Sequence, residues 1–278
     1  MTKKSRITIT LDEKLLGKID GLVDGEKVRN RSHAIESLIA KSLRPSINQA
    51  VILAAGKGVR WRPLTYEIPK ALIPIKGKPI LEHTINYLRG YNIKNIYIVV
   101  GTLGEKIKAY FGNGERFGVN IIYIDDKKEK GTAPALLAVK PFIKQEPFLL
   151  WYIDEIADVN IDDLIDFHTS NKALGTIALS SVSDPMGLGT VKLEGSRVKE
   201  FSEKPTKKNI QSYVVNAGIF VFQYEVFNYI TSQTISIEKE IFPKLVQENN
   251  FYGYLLSGRW FDIGTPETYA KAIRGWKE

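Results

Sequence analysis

The amino-acid sequence predicts an α/β protein: a mainly parallel sheet with helices on both faces, preceded by a small unit of different character. Two observations carry this. From Gln49 onward, short apolar runs alternate with stretches of helical periodicity, the pattern of a parallel sheet whose crossovers are helices. Before that point, residues 1–44 hold one strictly alternating stretch and two amphipathic ones, and Pro45-Ser46-Ile47-Asn48 reads as a linker. The expected organisation is a unit at 1–44, a linker at 45–48 and a larger domain at 49–278.

In Arg6-Ile7-Thr8-Ile9-Thr10-Leu11 apolar and polar residues alternate, the period of a strand with one buried face. Thr10 and Glu13 have the spacing of a capping box and open a helix carrying Leu15, Leu16, Ile19 and Leu22. Asp24-Gly25 breaks it. A second helix is expected from Ser32 as N-cap, with Ile35, Leu38, Ile39 and Leu43 before Pro45. Strand, helix and helix in so short a length bury too little surface to be stable in one copy. In the larger domain the reading is strand 49–54, helix 80–89, strand 95–100, helix 103–111, strand 119–124, helix 132–139, strand 147–153 and helix 160–169. Ligands of such sheets lie beyond the carboxyl ends of the strands.

At 278 residues, 44% apolar and 25% charged, the composition is that of an ordinary globular protein. The polar, basic N-terminus lacks the apolar core of a signal peptide, and no apolar run nears the roughly 20 residues of a spanning helix. A cytoplasmic protein is expected, with no membrane partner. The absence of cysteine excludes disulfides, thiolate nucleophiles and cysteine metal sites, leaving oxygen-ligated metals. Of the net charge of +8, residues 1–48 contribute +4, from ten Lys/Arg less six Asp/Glu. That asymmetry is read either as nucleic-acid contact or as a solvated basic surface.

Residues 51–75, VILAAGKGVRWRPLTYEIPKALIPI, are the most informative stretch. An apolar strand delivers the chain to Gly56 and Gly58, whose missing Cβ atoms let backbone N–H groups approach phosphate oxygens. Arg60 and Lys70 supply countercharge, so the order describes a triphosphate site. The G-x-x-x-x-G-K-[ST] loop is absent, and Trp61 stands where a dinucleotide fingerprint needs a small residue.

LAAGKGVRWRPLT followed by PKALIPIKGKP resembles the signature of the sugar-1-phosphate nucleotidylyltransferases. The likeness continues through KGTAPALLA, PFLLWYIDEIAD, VKEFSEKP, NAGIFVF and RWFDIGTP, and so covers residues 49–278 in order. The resemblance implies a Rossmann-like nucleotide-diphospho-sugar transferase fold and Mg²⁺-dependent transfer of a nucleotidyl group from an NTP to a sugar-1-phosphate. Such in-line attack on phosphorus asks the protein to hold, align and neutralise two polyanions, with no protein nucleophile. By resemblance, Asp154 and Asp262 bind the metal, Arg60 meets the leaving pyrophosphate and Lys70 the α-phosphate. Leu53, Ala55, Gly56, Gly58, Asp126 and Gly131 fall at nucleotide positions. Lys204 falls at the sugar-phosphate position, with Gly189, Glu203 and Asn216 lining the sugar. His33, His83 and His168 read as packing or surface residues.

Two positions depart from the pattern: Val59 replaces a threonine, and Ile153 replaces a glycine that allows close approach of nucleotide to backbone. A branched side chain there narrows the site or marks another subgroup, such as the cytidylyltransferases for choline or inositol phosphate. Many uridylyl- and thymidylyltransferases of this family carry glutamine near position 126. Asp126 there only accepts hydrogen bonds, which suits the paired donors of guanine. The competing reading is that residues 125–130 form a solvated loop and the backbone near Gly131 meets the base.

The first unit resembles the ribbon-helix-helix family. That likeness implies a homodimer with paired strands, and DNA reading by the outward side chains Arg6, Thr8 and Thr10. The same module can serve only to dimerise the enzyme behind it. A third reading joins both halves into a DNA-binding regulator that senses a sugar nucleotide without turning it over.

Overall fold

The computed structural model describes residues 7–26, 28–43, 46–126, 128 and 130–276, which fall into two compact units, up to Pro45 and from Ser46. In the first, helix α1 spans Glu13–Asp20 and α2 spans Arg31–Leu43. Ile19 and Ala34 are buried in this unit, and Asp20 joins the helices through the Arg31 guanidinium, whose Nη2 donates to Oδ2 at 2.7 Å.

The expected strand is not formed. Residues 7–10 belong to no ladder, with Thr8 and Thr10 exposed, while Arg6 lies outside the described residues. The physical reason is that a ribbon needs a second strand, and one chain supplies none. Ile7 and Ile9 are accordingly 72% and 47% exposed. Both caps also move. Asp12 rather than Thr10 caps α1, accepting from the Leu15 amide at 2.8 Å. Asn30 rather than Ser32 caps α2, accepting from the His33 amide at 2.9 Å. In each case an earlier or later Asx side chain out-competes the hydroxyl.

The second unit carries strands β1 (Gln49–Ala54), β2 (Pro74–Ile75), β3 (Lys78–Pro79), β4 (Asn95–Val100), β5 (Asn120–Asp125), β6 (Phe148–Tyr152) and β7 (Glu155–Ala157). These are followed by β8 (Gly175–Ser181), β9 (Gly189–Glu194), β10 (Arg197–Glu203), β11 (Val214–Phe222), β12 (Phe251–Leu255) and β13 (Trp260–Asp262). Its helices are α3 (Ile80–Gly90), α4 (Gly104–Phe111), α5 (Thr132–Leu137), α6 (Ile161–Ser170), α7 (Phe242–Gln247) and α8 (Pro266–Gly275). Among the described residues nine strands form one sheet in the order β5-β4-β1-β6-β11-β8-β12-β10-β9.

That sheet is mixed, which corrects the expectation of a mainly parallel one. β5, β4, β1 and β6 run parallel. β11 then runs antiparallel to both β6 and β8, and β10 antiparallel to β12 and β9. Chain connections explain the change: helical crossovers impose parallel pairing in the first half, whereas only Gly195 and Ser196 join β9 to β10, a length that permits only a hairpin. Pleating sends alternate residues of β1 to opposite faces, with Ala50, Ile52 and Ala54 in one core and Val51 in the other. Helices α3, α4 and α6 cover the first core through Ile85, Ile107 and Leu164; α5 and α7 cover the second through Leu136 and Phe242. Each fully buried Ile or Leu in these layers contributes about 1.5–3 kcal/mol.

Candidate active site

β1 ends at Ala54, and Ala55 through Trp61 turn over the sheet's carboxyl edge. Gly58 makes this turn possible. It sits at φ +58°, and a Cβ would fall 2.7 Å from Thr65 Cγ2, while the Thr65 hydroxyl donates to the Gly58 carbonyl at 2.8 Å. Trp61 is buried, and its indole N–H donates to the Ile263 carbonyl at 3.1 Å, which ties the loop to the segment after Asp262.

Asp154 and Asp262 are brought together by the pairing of β7 with β13, which sets Glu155 opposite Asp262. The Ile263 amide closes the pair by donating to the Asp154 carbonyl at 2.8 Å. Lys70 Nζ stands 3.0 Å from Asp154 Oδ2. Burial alone would raise the Asp154 carboxyl, but the Lys70 charge and hydrogen bond hold it below the ordinary range. Asp262 is raised by burial and then by the Asp154 charge. Glu155 lies deeper, pushed well above the carboxylate range by burial and by both aspartates, and its Oε2 is a buried oxygen without a hydrogen-bond partner. Arg60 packs on Gly264, where a Cβ would lie 2.6 Å from Arg60 Nη2, and its charge reaches both aspartates.

The neighbouring carboxylates, with Asp262 raised by burial and by the Asp154 charge, form a donor set that suits a hard divalent cation. Among the described residues no group of three or more His, Asp or Glu side chains is placed to hold an ion. Two aspartates with phosphate and water completing the shell are what Mg²⁺ accepts, so these residues fit it.

A cavity of about 280 Å³ opens beside this pair. Leu53, Ala55, Gly56, Gly58, Lys70, Asp126, Gly131 and Asp154 line it, together with Thr132, Tyr152 and Ile153. Asp125 faces elsewhere, taken up by Lys108 Nζ at 2.9 Å. Ile153 borders the cavity, but its buried side chain joins the first core and its amide extends the β1–β6 pairing by donating to Leu53 at 3.3 Å. The branched side chain is thus accommodated by the core. Val59 is exposed. Across the Gly56 loop lies a second cavity of about 300 Å³, sharing Ala55, Gly56 and Lys70 with the first. Lys57, Arg62, Thr65, Tyr66 and Thr102 also line it, and no carboxylate does.

Gly189, Glu203 and Lys204 meet at the β9–β10 pairing, which sets Gly189 opposite Glu203. Lys204 Nζ lies 3.4 Å from Glu203 Oε1, and Lys204 itself has φ +49°. Asn216 Oδ1 accepts from the Gly218 amide at 2.8 Å on neighbouring β11. Glu203 is raised by burial, and its charge is felt by Tyr152, linking this group to the cavity. His168 is buried, and His83 Nε2 donates to the Ile75 carbonyl at 2.8 Å.

Sequence reasoning missed Tyr152, Thr132, Glu155, Lys57 and Arg62. Lys57 and Arg62 lie inside the stretch that revealed Arg60. Tyr152 and Glu155 carried no signal beyond adjacency to Asp154.

A family model described as nucleotidyl transferase matches residues 49–278. A UTP–glucose-1-phosphate uridylyltransferase of Synechocystis is 35% identical, over 82% of this chain and 63% of that protein. The mannose-1-phosphate guanylyltransferase catalytic subunit beta of Danio rerio is 34% identical, over 80% and 62%. A bifunctional protein GlmU of Methanococcus maripaludis is 39% identical, over 78% and 51%. The chain spans 51% to 63% of the length of these relatives. Among solved structures, a Bacillus anthracis protein described as a glucose-1-phosphate thymidylyltransferase superposes with a TM-score of 0.76 at 26% identity, covering 83% of this chain and 96% of that one.

Proposed function

Because the chain belongs to the nucleotidyl transferase family, we propose that it transfers a nucleotidyl group from an NTP to a sugar-1-phosphate, giving an NDP-sugar and pyrophosphate. One observation carries the reading: Lys70 and Asp154, paired at 3.0 Å, stand in the wall of a cavity floored by the Gly56–Gly58 turn, with Asp262 and Arg60 adjoining. The nucleoside and α-phosphate occupy the smaller cavity against Gly131 and Tyr152. The β- and γ-phosphates pass over the Gly56 loop into the second cavity, whose charged lining of Lys57, Arg62 and Lys70 is wholly cationic.

A sugar-phosphate oxygen attacks the α-phosphorus, the bond from that phosphorus to the bridging oxygen breaks, and pyrophosphate leaves with its electron pair. Lys70 holds the α-phosphate in line, Lys57 and Arg62 compensate charge on the leaving group in the second cavity, and Arg60 adds its charge from beside Gly264 and the two aspartates. Asp154 and Asp262 would hold Mg²⁺, which neutralises charge on the transferring group. Glu203, Lys204, Gly189 and Asn216 seat the sugar phosphate. Incubating the protein with Mg²⁺ and a panel of NTPs and sugar-1-phosphates while monitoring pyrophosphate tests the reading; no release with any pair would defeat it.

The first unit completes itself by pairing residues 6–11 with those of a second copy, making the protein a homodimer. The exposure of Ile7 and Ile9 supports this. The same ribbon would present Arg6, Thr8 and Thr10 to DNA, with affinity that falls steeply with salt as counterions are released. Fluorescence anisotropy with duplex DNA at two salt concentrations decides it, and no binding at low salt leaves pairing as the unit's sole role.

A further inference from the structure

Glu238 is a buried acid that the reaction above does not use. It lies on a single π turn, Ile237–Ile241, and its carboxylate accepts from three hydroxyls. Tyr152 donates to Oε1 at 2.6 Å; Thr132 and Ser236 donate to Oε2 at 2.8 and 2.7 Å. The Thr132 hydroxyl in turn accepts from the Ile237 amide at 2.9 Å, and the Ala133 amide donates to the Ile235 carbonyl at 3.1 Å. Gly131 completes the junction. At φ +135° it runs so close to Ile235 that a Cβ would fall 2.2 Å from that carbonyl oxygen.

Two of the three donors belong to the cavity wall. Thr132 follows Gly131 on one side, and Tyr152 precedes Ile153 and Asp154 on the other. A carboxylate accepting from both fixes the distance between them, and it lies outside the cavity lining itself. A charged group so far from water costs several kcal/mol unless each lone pair is used. An apolar side chain would serve packing alone, so the role of this carboxylate lies in the three hydroxyls that it holds.

We propose that Glu238 is a positioning residue that sets the width of the nucleotide cavity by holding the Gly131–Ala133 segment and Tyr152 in register. The proposal rests on the assignment of that cavity to the NTP. Glu238→Gln keeps shape but replaces one acceptor oxygen with a donor that opposes the hydroxyls. Ser236→Ala removes one donor that does not itself line the cavity.

The experiment combines steady-state kinetics with amide hydrogen exchange on the full chain. For Glu238→Gln, KM for the NTP should rise about tenfold with kcat within about threefold, since the loss falls on binding rather than on the transition state. KM for the sugar phosphate should move less. Exchange at Ala133 and Ile237 should quicken by about tenfold or more while amides of β1 and β6 stay at wild-type rates. Ser236→Ala should shift both readouts in the same direction by less. A folded Glu238→Gln protein with wild-type NTP KM and wild-type exchange at Ala133 overturns the proposal, whatever its melting temperature. Should that variant fail to fold, Ser236→Ala with unchanged KM and exchange overturns it equally. If the wild type turns over no NTP, the cavity assignment falls, and exchange at Ala133 still decides whether Glu238 holds the segment.

Discussion

His168 gives the sharpest quantitative test of the fold that supports the site. It lies on α6, 1% exposed, with Nδ1 2.9 Å from Thr176 Oγ1 and Nε2 2.9 Å from the Gln223 amide nitrogen. The Gln223 N–H donates, so Nε2 must accept and the proton resides on Nδ1, donating to Thr176. Protonating the ring would set two donors face to face in a buried site. Burial accordingly pushes the His168 pKa down from 6.5 to about 4.

The folded pKa lies below the unfolded one, so the unfolded chain binds more protons between these values. Stability is complete above pH 6.5 and is lost as pH falls toward 4, by about 3 kcal/mol in all, at 1.36 kcal/mol per unit. Carboxylates titrate in the same window, so the contribution is isolated by comparison with His168→Gln. Urea midpoints of both proteins at pH 7.5 and pH 4.5 should show the wild type losing about 2.5 kcal/mol more than the variant. Parallel losses would refute the argument, as would a directly observed imidazole titration near 6.5.

Asp154→Asn and Asp262→Asn should each lower turnover by roughly 10²–10³-fold without unfolding the chain, since each removes charge stabilisation at the transferring phosphate; a near-wild-type rate of pyrophosphate release in either would sink the metal assignment. Deleting residues 1–44 should give a smaller species in sedimentation while leaving the second unit folded, and an unchanged oligomeric state would move the contacts to the catalytic unit. Asp126 lines the cavity, and its carboxylate suits the paired N–H donors of guanine. Asp126→Gln should therefore shift kcat/KM from GTP toward UTP and dTTP, and a wild type that strongly prefers UTP would contradict the reasoning.

The parallel half of the sheet was legible because its inner strands are buried on both faces. Val51, Ile52, Ile98, Val99, Leu149 and Leu150 are all fully buried, so β1, β4 and β6 appear in the sequence as apolar runs. β11 carries a comparable apolar run, with Ile219, Phe220, Val221 and Phe222 fully buried, but the outer strands have no such signal. β10 reads RVKEFSE and buries only Val198, and β13 is three residues long. Their places come from the β9–β10 hairpin and the β7–β13 register, which are long-range facts. The caps failed for a local reason: Asp12 and Asn30 lie within two residues of the hydroxyls expected to serve, and propensity alone does not choose between neighbours.

The site divides along the same line. The residues proposed to meet phosphate sit in one continuous stretch after β1, where glycine, arginine and lysine announce their chemistry by order. Asp154 and Asp262 were joined only through the family resemblance, since each alone reads as a strand-end acid and no spacing rule states that β13 lays Asp262 beside Glu155. Glu238 is the extreme case. In SIEKEIF, Ile237 and Ile241 mark an inward face and the intervening charges read as solvent-exposed, yet Glu238 is buried because Tyr152, Thr132 and Ser236 converge on it. Two of those donors are distant in sequence, so the energy that admits the charge to the core is supplied only after the sheet is assembled. A residue whose burial depends on the finished fold, and whose partners form the wall of a cavity, reports on the geometry of that cavity more directly than the exposed cations do.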